Sequence, residues 1–319
     1  MKRRQYIWLF AVLSISFNVF AGHHEESETL QKAVLVTGAS SGLGLSMTQE
    51  LSKNGFFVYA GVLHKDEMKA MNEMDNVVAV QFDVRNQAQI DAAVEFVEAQ
   101  GRGLYGLINN AGVAVFGPMV EMPVEQLQYQ MDVNVFGPFR VTQAFAPMII
   151  KSKGRIATTG SIAGILSSPM FGAYAMSKHA IEAYTDALAQ EMARFEVSVH
   201  VIEPGNYASN IGNAAMKLIS DTNYWPDESQ YKQERDGMIK RLPYVIKGAD
   251  PIDVAKAALH IMQSDAPKSR YMVTAVASEA EATLRRQISK MLELNKDQAH
   301  QLDRAGMIKL LDEEMAKTL

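Results

Sequence analysis

The chain reads as an α/β protein, one doubly wound parallel sheet with a C-terminal helical extension, and three observations carry that reading. Short apolar runs alternate with segments of helical periodicity over residues 32–275. A glycine-rich turn lies between the first of these runs and the first helical segment. The composition also demands a large core: of 319 residues, 48% are hydrophobic and 21% charged, a balance no disordered chain carries. With no cysteine there is neither a disulfide framework nor a thiolate metal site, and no other metal site is expected. The formal net charge of −5 argues against a nucleic-acid binder that works by neutralising phosphates.

Lys2, Arg3 and Arg4 open the chain, residues 6–20 run apolar, and Ala21 ends that run. It is shorter than the roughly 20 residues that cross a bilayer. Residues 1–21 therefore read as a secretory signal peptide, with a retained membrane anchor as the alternative, so the protein is expected to be exported or membrane-associated. Residues 22–31 form a polar linker, in which Gly22-His23-His24 reads as a solvated tail rather than a Cu(II) site.

Residues 33–36 are continuously apolar, as in a strand covered on both faces. Further strands are expected at 56–60, 77–80, 104–108, 155–157 and 197–202. Helical stretches separate them, among them 45–53 and 87–100, the latter with Ile90, Ala93, Val94 and Val97 on one face. No repeat or low-complexity linker interrupts this body, so residues 32–275 are one domain. Residues 276–319 are rich in strong helix formers, with Leu284, Ile288, Met291 and Leu292 at helical spacing. This extension is expected to pack on the domain or on a neighbouring subunit, and it carries no recognisable chemistry.

The turn itself is Thr37-Gly38-Ala39-Ser40-Ser41-Gly42-Leu43-Gly44. Gly38 permits a tight turn off the strand, Gly42 removes a side chain where a pyrophosphate must approach, and Gly44 lets the helix pack on the sheet. The helix N-terminus then offers N–H groups and a positive dipole to phosphate. This is Rossmann-like logic, although three residues rather than one separate the first two glycines. The octet resembles the TGxxxGxG cofactor loop of the short-chain dehydrogenase/reductase family. Further matches follow in that family's order: Asp83-Val84, Asn109-Asn110-Ala111-Gly112, Asn134, Ser161, Tyr174 with Lys178, and Pro204-Gly205.

Tyr174 and Lys178 lie four apart in a helical segment and so share a face. A tyrosine hydroxyl with a pKa of about 10 is a poor acid–base at neutral pH, and an ammonium one turn away should lower it. Taken alone, the pair is more simply an exposed Tyr–Lys contact; the ordered motifs displace that reading. The resemblance implies that Ser161 bonds the substrate oxygen beside Tyr174 and that Lys178 also holds the nicotinamide ribose. It implies that Asn134 both fixes a proton-relaying water and ties neighbouring backbone. It further places Thr37, Ser40, Ser41 and Leu43 with the three glycines around the phosphates, and Asp83 and Val84 at the adenine. Asn110, Ala111 and Gly112 would floor the adenosine pocket. Pro204, Gly205 and Ser209 would face the carboxamide, with Ser209 standing where family members usually have Thr.

The implied activity is that of an NAD(P)-dependent oxidoreductase interconverting an alcohol with its ketone or aldehyde. Two alternatives remain at this stage. An epimerase or dehydratase of the extended branch would carry a TGxxGxxG loop and a larger C-terminal domain, and a non-catalytic NAD(P)-binding sensor or scaffold would be expected to lack Tyr174 or Lys178. For the cofactor, the position after the second strand that is acidic for NAD or basic for NADP holds Val62 and Leu63, so neither rule applies. The run Gly61-Val62-Leu63 is similar to the branch of retinol, 17β-hydroxysteroid and 3-hydroxybutyrate dehydrogenases, which leans to NAD(H). His64 and Lys65 are nonetheless available to the 2′-phosphate of NADP(H). Residues 206–247 should cover the substrate. Met216, Leu218, Ile219, Tyr224, Trp225, Tyr231 and Met238 either line a pocket for a hydrophobic alcohol or ketone or seat the segment on the core. The family habit is a homodimer or homotetramer, built on helices around 126–150 and 174–195.

Overall fold

Strand β1 (Ala33–Thr37) is buried along its whole length because strands flank both of its edges and helices cover both of its faces. The computed structural model describes residues 30–226 and 228–318, so the segment read as signal peptide or anchor, and the linker up to residue 29, lie outside the described residues. The other strands are β2 (Phe57–Val62), β3 (Val77–Gln81), β4 (Gly106–Asn109), β5 (Arg155–Thr159), β6 (Ser198–Pro204) and β7 (Arg270–Val273). They form one parallel sheet in the order β3-β2-β1-β4-β5-β6-β7, with Val36 opposite Ala60 on one side and Ile108 on the other. The winding direction reverses between β1 and β4, and a crevice opens beyond the carboxyl ends of those strands.

Six of these strands fall within about two residues of their expected places. β7 was not expected. It is an edge strand of four residues, Arg-Tyr-Met-Val, exposed at its first residue and only half-buried at the rest, so it lacks the apolar run that marks an inner strand.

Helices cover the two faces in the pattern their apolar stripes dictate. On one face α1 (Gly42–Lys53) packs against α9 (Ile252–Gln263), where Met47, Leu51, Val254 and Ile261 close over Val34, Val36, Val58 and Ala60. On the other, α3 (Gln87–Ala99) buries the expected Ile90, Ala93 and Val97 against Phe145 and Ile149 of α5 (Gly137–Lys151). A short helix, α2 (Met68–Asn72), precedes β3. Between α4 (Val124–Met131) and α5 the chain makes a π-helical turn, Asp132–Phe136, while α6 (Gly172–Met192) lies beside β6.

The segment after β6 forms α7 (Ile211–Thr222) and α8 (Lys232–Ile246). It decides between the two readings of its apolar residues. Ile219 and Trp225 are buried in a third small core with Ala114 and Phe116, and Met216, Tyr224, Tyr231 and Met238 pack around it. Leu218 is half-buried, and none of the seven lines the crevice. They seat the cap on the body; the apolar lining comes instead from Phe116, Phe171, Ile211 and Ile246.

The C-terminal extension is two helices, α10 (Ala277–Asn295) and α11 (Arg304–Thr318). The stripe of Leu284, Ile288, Met291 and Leu292 does not pack on the domain: all four are exposed. What fastens α10 is Glu279 of its first turn against the loop after β6, the buried Thr283 one turn further on, and a Lys290 Nζ that donates to Ile165 O at 2.6 Å. Among the described residues no helix is long and apolar enough to cross a membrane.

Leu35 has no exposed surface in the central strand, and its deletion leaves a void between two rigid layers. Leu35→Ala should therefore cost about 3 kcal/mol in urea unfolding; a loss below about 1 kcal/mol would show that the layers collapse to fill the space.

Candidate active site

The crevice holds a cavity of about 620 Å³ that begins where β1 ends. Gly38 turns there with φ +64°, and any side chain on it would meet Ala111 Cα at 2.9 Å. The turn is stitched in place. Thr37 Oγ1 accepts the N–H groups of Asn110 and Ala111, both at 2.9 Å. Asn110 Nδ2 donates to the carbonyls of Thr37 (3.0 Å) and Gly38 (3.3 Å), and its Oδ1 accepts from Thr159 Oγ1 at 3.2 Å. Helix α1 starts at Gly42 behind an extended Ser41 with no side-chain cap, which points its first-turn N–H groups into the crevice. Gly44 has a different task from the one expected of it: it lies outside the cavity lining, pressed against Gly38 O and Asn110 rather than against the sheet.

At the β2 and β3 end, Asp83 and Val84 line the cavity together with Arg85. Burial alone would push the Asp83 carboxyl up. Its hydrogen bonds to Arg85, 2.6 Å at the shortest, and the charges of Arg85 and Arg140 outweigh burial and hold it below the usual carboxylate range. A second acid, Glu67, is one that the sequence reading missed. Its Oε1 accepts from Ser40 Oγ at 2.8 Å and its Oε2 from His64 N at 2.9 Å, so a carboxylate bridges the glycine turn and the exit of β2. The local signal was the spacing His64-x-x-Glu67, a capping box that opens a 3-10 turn.

At the opposite end, β5 delivers Ser161 and α6 delivers Tyr174 and Lys178 to one wall. Ser161 Oγ accepts from Ala163 N (3.1 Å) and donates weakly to Pro204 O (3.4 Å). Lys178 Nζ donates to Thr159 O at 2.7 Å and stands 5.6 Å from the Tyr174 ring centre. The expected downshift of the phenol is absent. Burial raises the Tyr174 pKa above its usual 10, and the Ser161 hydrogen bond only partly opposes this. Lys178 is itself brought down to about 8 by burial, with Glu182 restoring part of its charge preference.

Asn134 lies behind this wall, outside the cavity lining. Its Oδ1 accepts from Val113 N (2.8 Å), and its Nδ2 donates to Val113 O (2.9 Å) and Ser177 Oγ (3.2 Å). The side chain is fully engaged in tying backbone, the second of its two expected roles, and has no hydrogen left for a water. Ser40, Ser41, Gly42, Leu43, Ala111, Gly112, Pro204, Gly205 and Ser209 all line the cavity. So does Glu279 of α10, from an extension in which no chemistry was expected.

Behind Lys178, one helical turn on, an acidic group was also not foreseen. Arg270 pairs with Glu182, with Asp186 at 2.5 Å and with Glu203 at 3.3 Å. Burial and the neighbouring Glu182 charge push Glu203 up to about 7, against the pull of Arg270. Among the described residues no three acidic or histidine side chains are placed to hold a metal ion.

A glycine turn and a Ser–Tyr–Lys group face one another across the switch point of a doubly wound sheet, the arrangement of a dinucleotide-dependent oxidoreductase. The chain belongs to the short-chain dehydrogenase family, whose model, "short chain dehydrogenase", matches residues 32–217. It is 35% identical over 251 residues to the uncharacterized oxidoreductase YbbO of Escherichia coli (strain K12), covering 78% of this chain and 88% of that one. It is 33% identical over 261 residues to the mitochondrial D-beta-hydroxybutyrate dehydrogenase of Bos taurus, covering 75% and 76%. A solved short-chain dehydrogenase/reductase from Burkholderia phymatum, in complex with NAD, matches with a TM-score of 0.71 over 83% of this chain and 96% of that one. At 24% identity this is a likeness of fold.

The Glu203 carboxyl fixes the sign of one pH effect. Because its folded pKa (about 7) lies above its ordinary 4.5, the folded state binds the extra proton, and stability falls as pH rises between those values. Relative to Glu203→Gln, the wild type should lose on the order of 2 kcal/mol between pH 4.5 and pH 7.5 in denaturant titrations. A difference that stays constant with pH would mean that Glu203 is ionised throughout.

Proposed function

We propose that the protein is an NAD(H)-dependent dehydrogenase or reductase that interconverts a hydrophobic alcohol with its ketone or aldehyde, with Tyr174 as the acid–base. The observation that carries this reading is the convergence of Ser161, Tyr174 and Lys178 on the wall opposite the glycine turn. The residues fit a nicotinamide dinucleotide. The turn leaves no side chain at Gly38 or Gly42, helix α1 aims its N-terminus at the phosphate position, and carboxylates wait at the nucleoside end. When bound, the nicotinamide supplies or takes the hydride at the substrate carbon.

The chain's own groups manage the oxygen and its proton. Ser161 holds Pro204 O by a long bond of 3.4 Å, which a substrate oxygen can replace without loss. Tyr174 gives its proton to that oxygen in reduction and takes it back in oxidation. Lys178, pulled to about 8 and anchored on Thr159 O, stays mostly cationic at pH 7 and can return the proton to Tyr174. Because the Asn134 side chain is engaged with Val113 and Ser177, any water that serves this relay takes its bond from main chain in the π-helical turn.

For the substrate, Phe116, Phe171, Ile211 and Ile246 offer an apolar surface close to Tyr174. Among the described lining residues the basic side chains besides Lys178 are His64 and Arg85, both at the nucleoside end, so a small carboxylate substrate finds no dedicated partner there. The lining therefore favours an uncharged hydrophobic alcohol or ketone. For the cofactor, Glu67 supports NAD(H): a ribose 2′-hydroxyl can donate to it, whereas a 2′-phosphate meets its charge.

With a panel of hydrophobic alcohols and ketones followed by cofactor absorbance, Tyr174→Phe should lose about 10²-fold or more in turnover while binding NADH as the wild type does. Near-normal turnover in that variant would remove Tyr174 from the chemistry. A wild type silent on every substrate, yet binding cofactor, would favour a nucleotide sensor. Glu67→Ala should tighten NADPH relative to NADH by roughly tenfold, because one charge repulsion at the ribose is removed; an unchanged ratio would place the 2′ position elsewhere.

A further inference from the structure

The helix that follows the last strand reaches back into the crevice. Glu279, in the first turn of α10, accepts the N–H of Asn206 on Oε1 at 3.1 Å. Its Oε2 lies against Gly205, in the space that a Cβ would fill, and is buried without any hydrogen-bond partner. From the other side Gly205 N donates to Val273 O at 2.7 Å, so the loop after β6 is clasped between the end of β7 and the start of α10. Pro204, one residue earlier, is the acceptor for Ser161. Glu279 thus brings a carboxylate to the reacting end of the crevice, where a lining residue can face whatever lies beside Ser161 and Tyr174.

Its situation differs from that of the other acids around the cavity. Asp83 is paired with Arg85, Glu67 accepts from Ser40 and His64 N, and Glu182 and Glu203 share Arg270. Glu279 has one backbone N–H and, among the described residues, no cation. A buried carboxylate oxygen left in this state is unfavourable unless a ligand brings it positive charge or an N–H. The Glu279 carboxylate takes the space beside Gly205 that a Cβ would otherwise fill.

We propose that Glu279 is a positioning residue for the nicotinamide end of the cofactor, and that its charge favours the oxidised, cationic ring over the reduced, neutral one. The inference rests on the cofactor reading above. A carboxylate near the ring accepts a carboxamide N–H in both redox forms, but only the oxidised form gains the charge attraction. Because oxidation of the alcohol turns the oxidised ring into the reduced one, a tighter hold on the oxidised form shifts the equilibrium between bound species toward the alcohol, that is toward reduction of the ketone, with the hydride passing to the substrate carbon and the Tyr174 proton to its oxygen.

Titration of the full chain with the oxidised and the reduced form of whichever dinucleotide it binds more tightly tests this. Glu279→Gln keeps a carbonyl oxygen for Asn206 N while removing the charge. Its Kd for the oxidised form should rise about tenfold, and its Kd for the reduced form should change less than about twofold. Glu279→Ala, which loses the Asn206 contact as well, should show the same asymmetry on top of any common loss, while Glu279→Asp should retain most of the wild-type preference. Equal shifts of both forms in the Gln and Ala variants, or no shift, would overturn the inference. A wild type that binds neither form would overturn the cofactor reading instead.

Discussion

Two polar side chains at the carboxyl ends of three strands hold the functional part of this molecule together. The Thr37 hydroxyl and the Asn110 carboxamide join β1, β4 and β5 in a single seam, with five hydrogen bonds among Thr37, Gly38, Asn110, Ala111 and Thr159. The sheet ladder stops at this level, and without the seam three chain segments would leave it with unpaired backbone groups. The seam fixes the direction in which the glycine turn departs and therefore the aim of α1. It also sets Thr159, whose carbonyl receives Lys178. The glycine turn and the wall of Ser161, Tyr174 and Lys178 are thus joined through one hydrogen-bonded unit.

The reacting end is built from groups that burial makes costly. Lys178 sits in the wall with its ammonium on one carbonyl, the Tyr174 phenol is disfavoured as an anion, and Glu203 is held near neutrality. Each of these shifts is led by desolvation, and each is only partly offset by a neighbour: Glu182 for Lys178, Ser161 for Tyr174, Arg270 for Glu203. Such a site is strained in its charges, and that strain is relieved when a ligand brings charge of the needed sign. The acids of α6 and β6 form a graded series from the exposed Asp186 to the buried Glu203, with Arg270 binding both ends.

What could be read from the linear chain follows from the range of the physics involved. The glycine turn, the Tyr174–Lys178 pair and the inner strands are defined by neighbours within a few residues, and each announces itself by spacing or by a continuous apolar run. The capping box with His64 marks Glu67 locally, but its reach to Ser40 spans 27 residues and the Glu279 contact with Asn206 spans 73, and no local pattern encodes either. The apolar residues of α7 and α8 show the same limit: periodicity says that they are buried, not whether against core or ligand, and Trp225 and Ile219 turned inward. The direction of the Tyr174 shift was misjudged because a partner at i+4 is visible in sequence while burial is not. β7 escaped because an edge strand with one covered face need not be apolar.

The apolar, wholly buried β1 has a consequence in time. Its bond to Asn110 spans 73 residues, and the strand that covers its second edge, β4, ends at Asn109. At ribosomal speeds of about 5–20 residues per second, the first strand emerges several seconds before that partner exists. During that interval Ala-Val-Leu-Val-Thr is an unpaired hydrophobic edge, the kind of segment that recruits other chains. The strand that organises the finished fold is therefore a hazard of the nascent chain, and the β1–α1–β2 parallel crossover completed next is its first shelter.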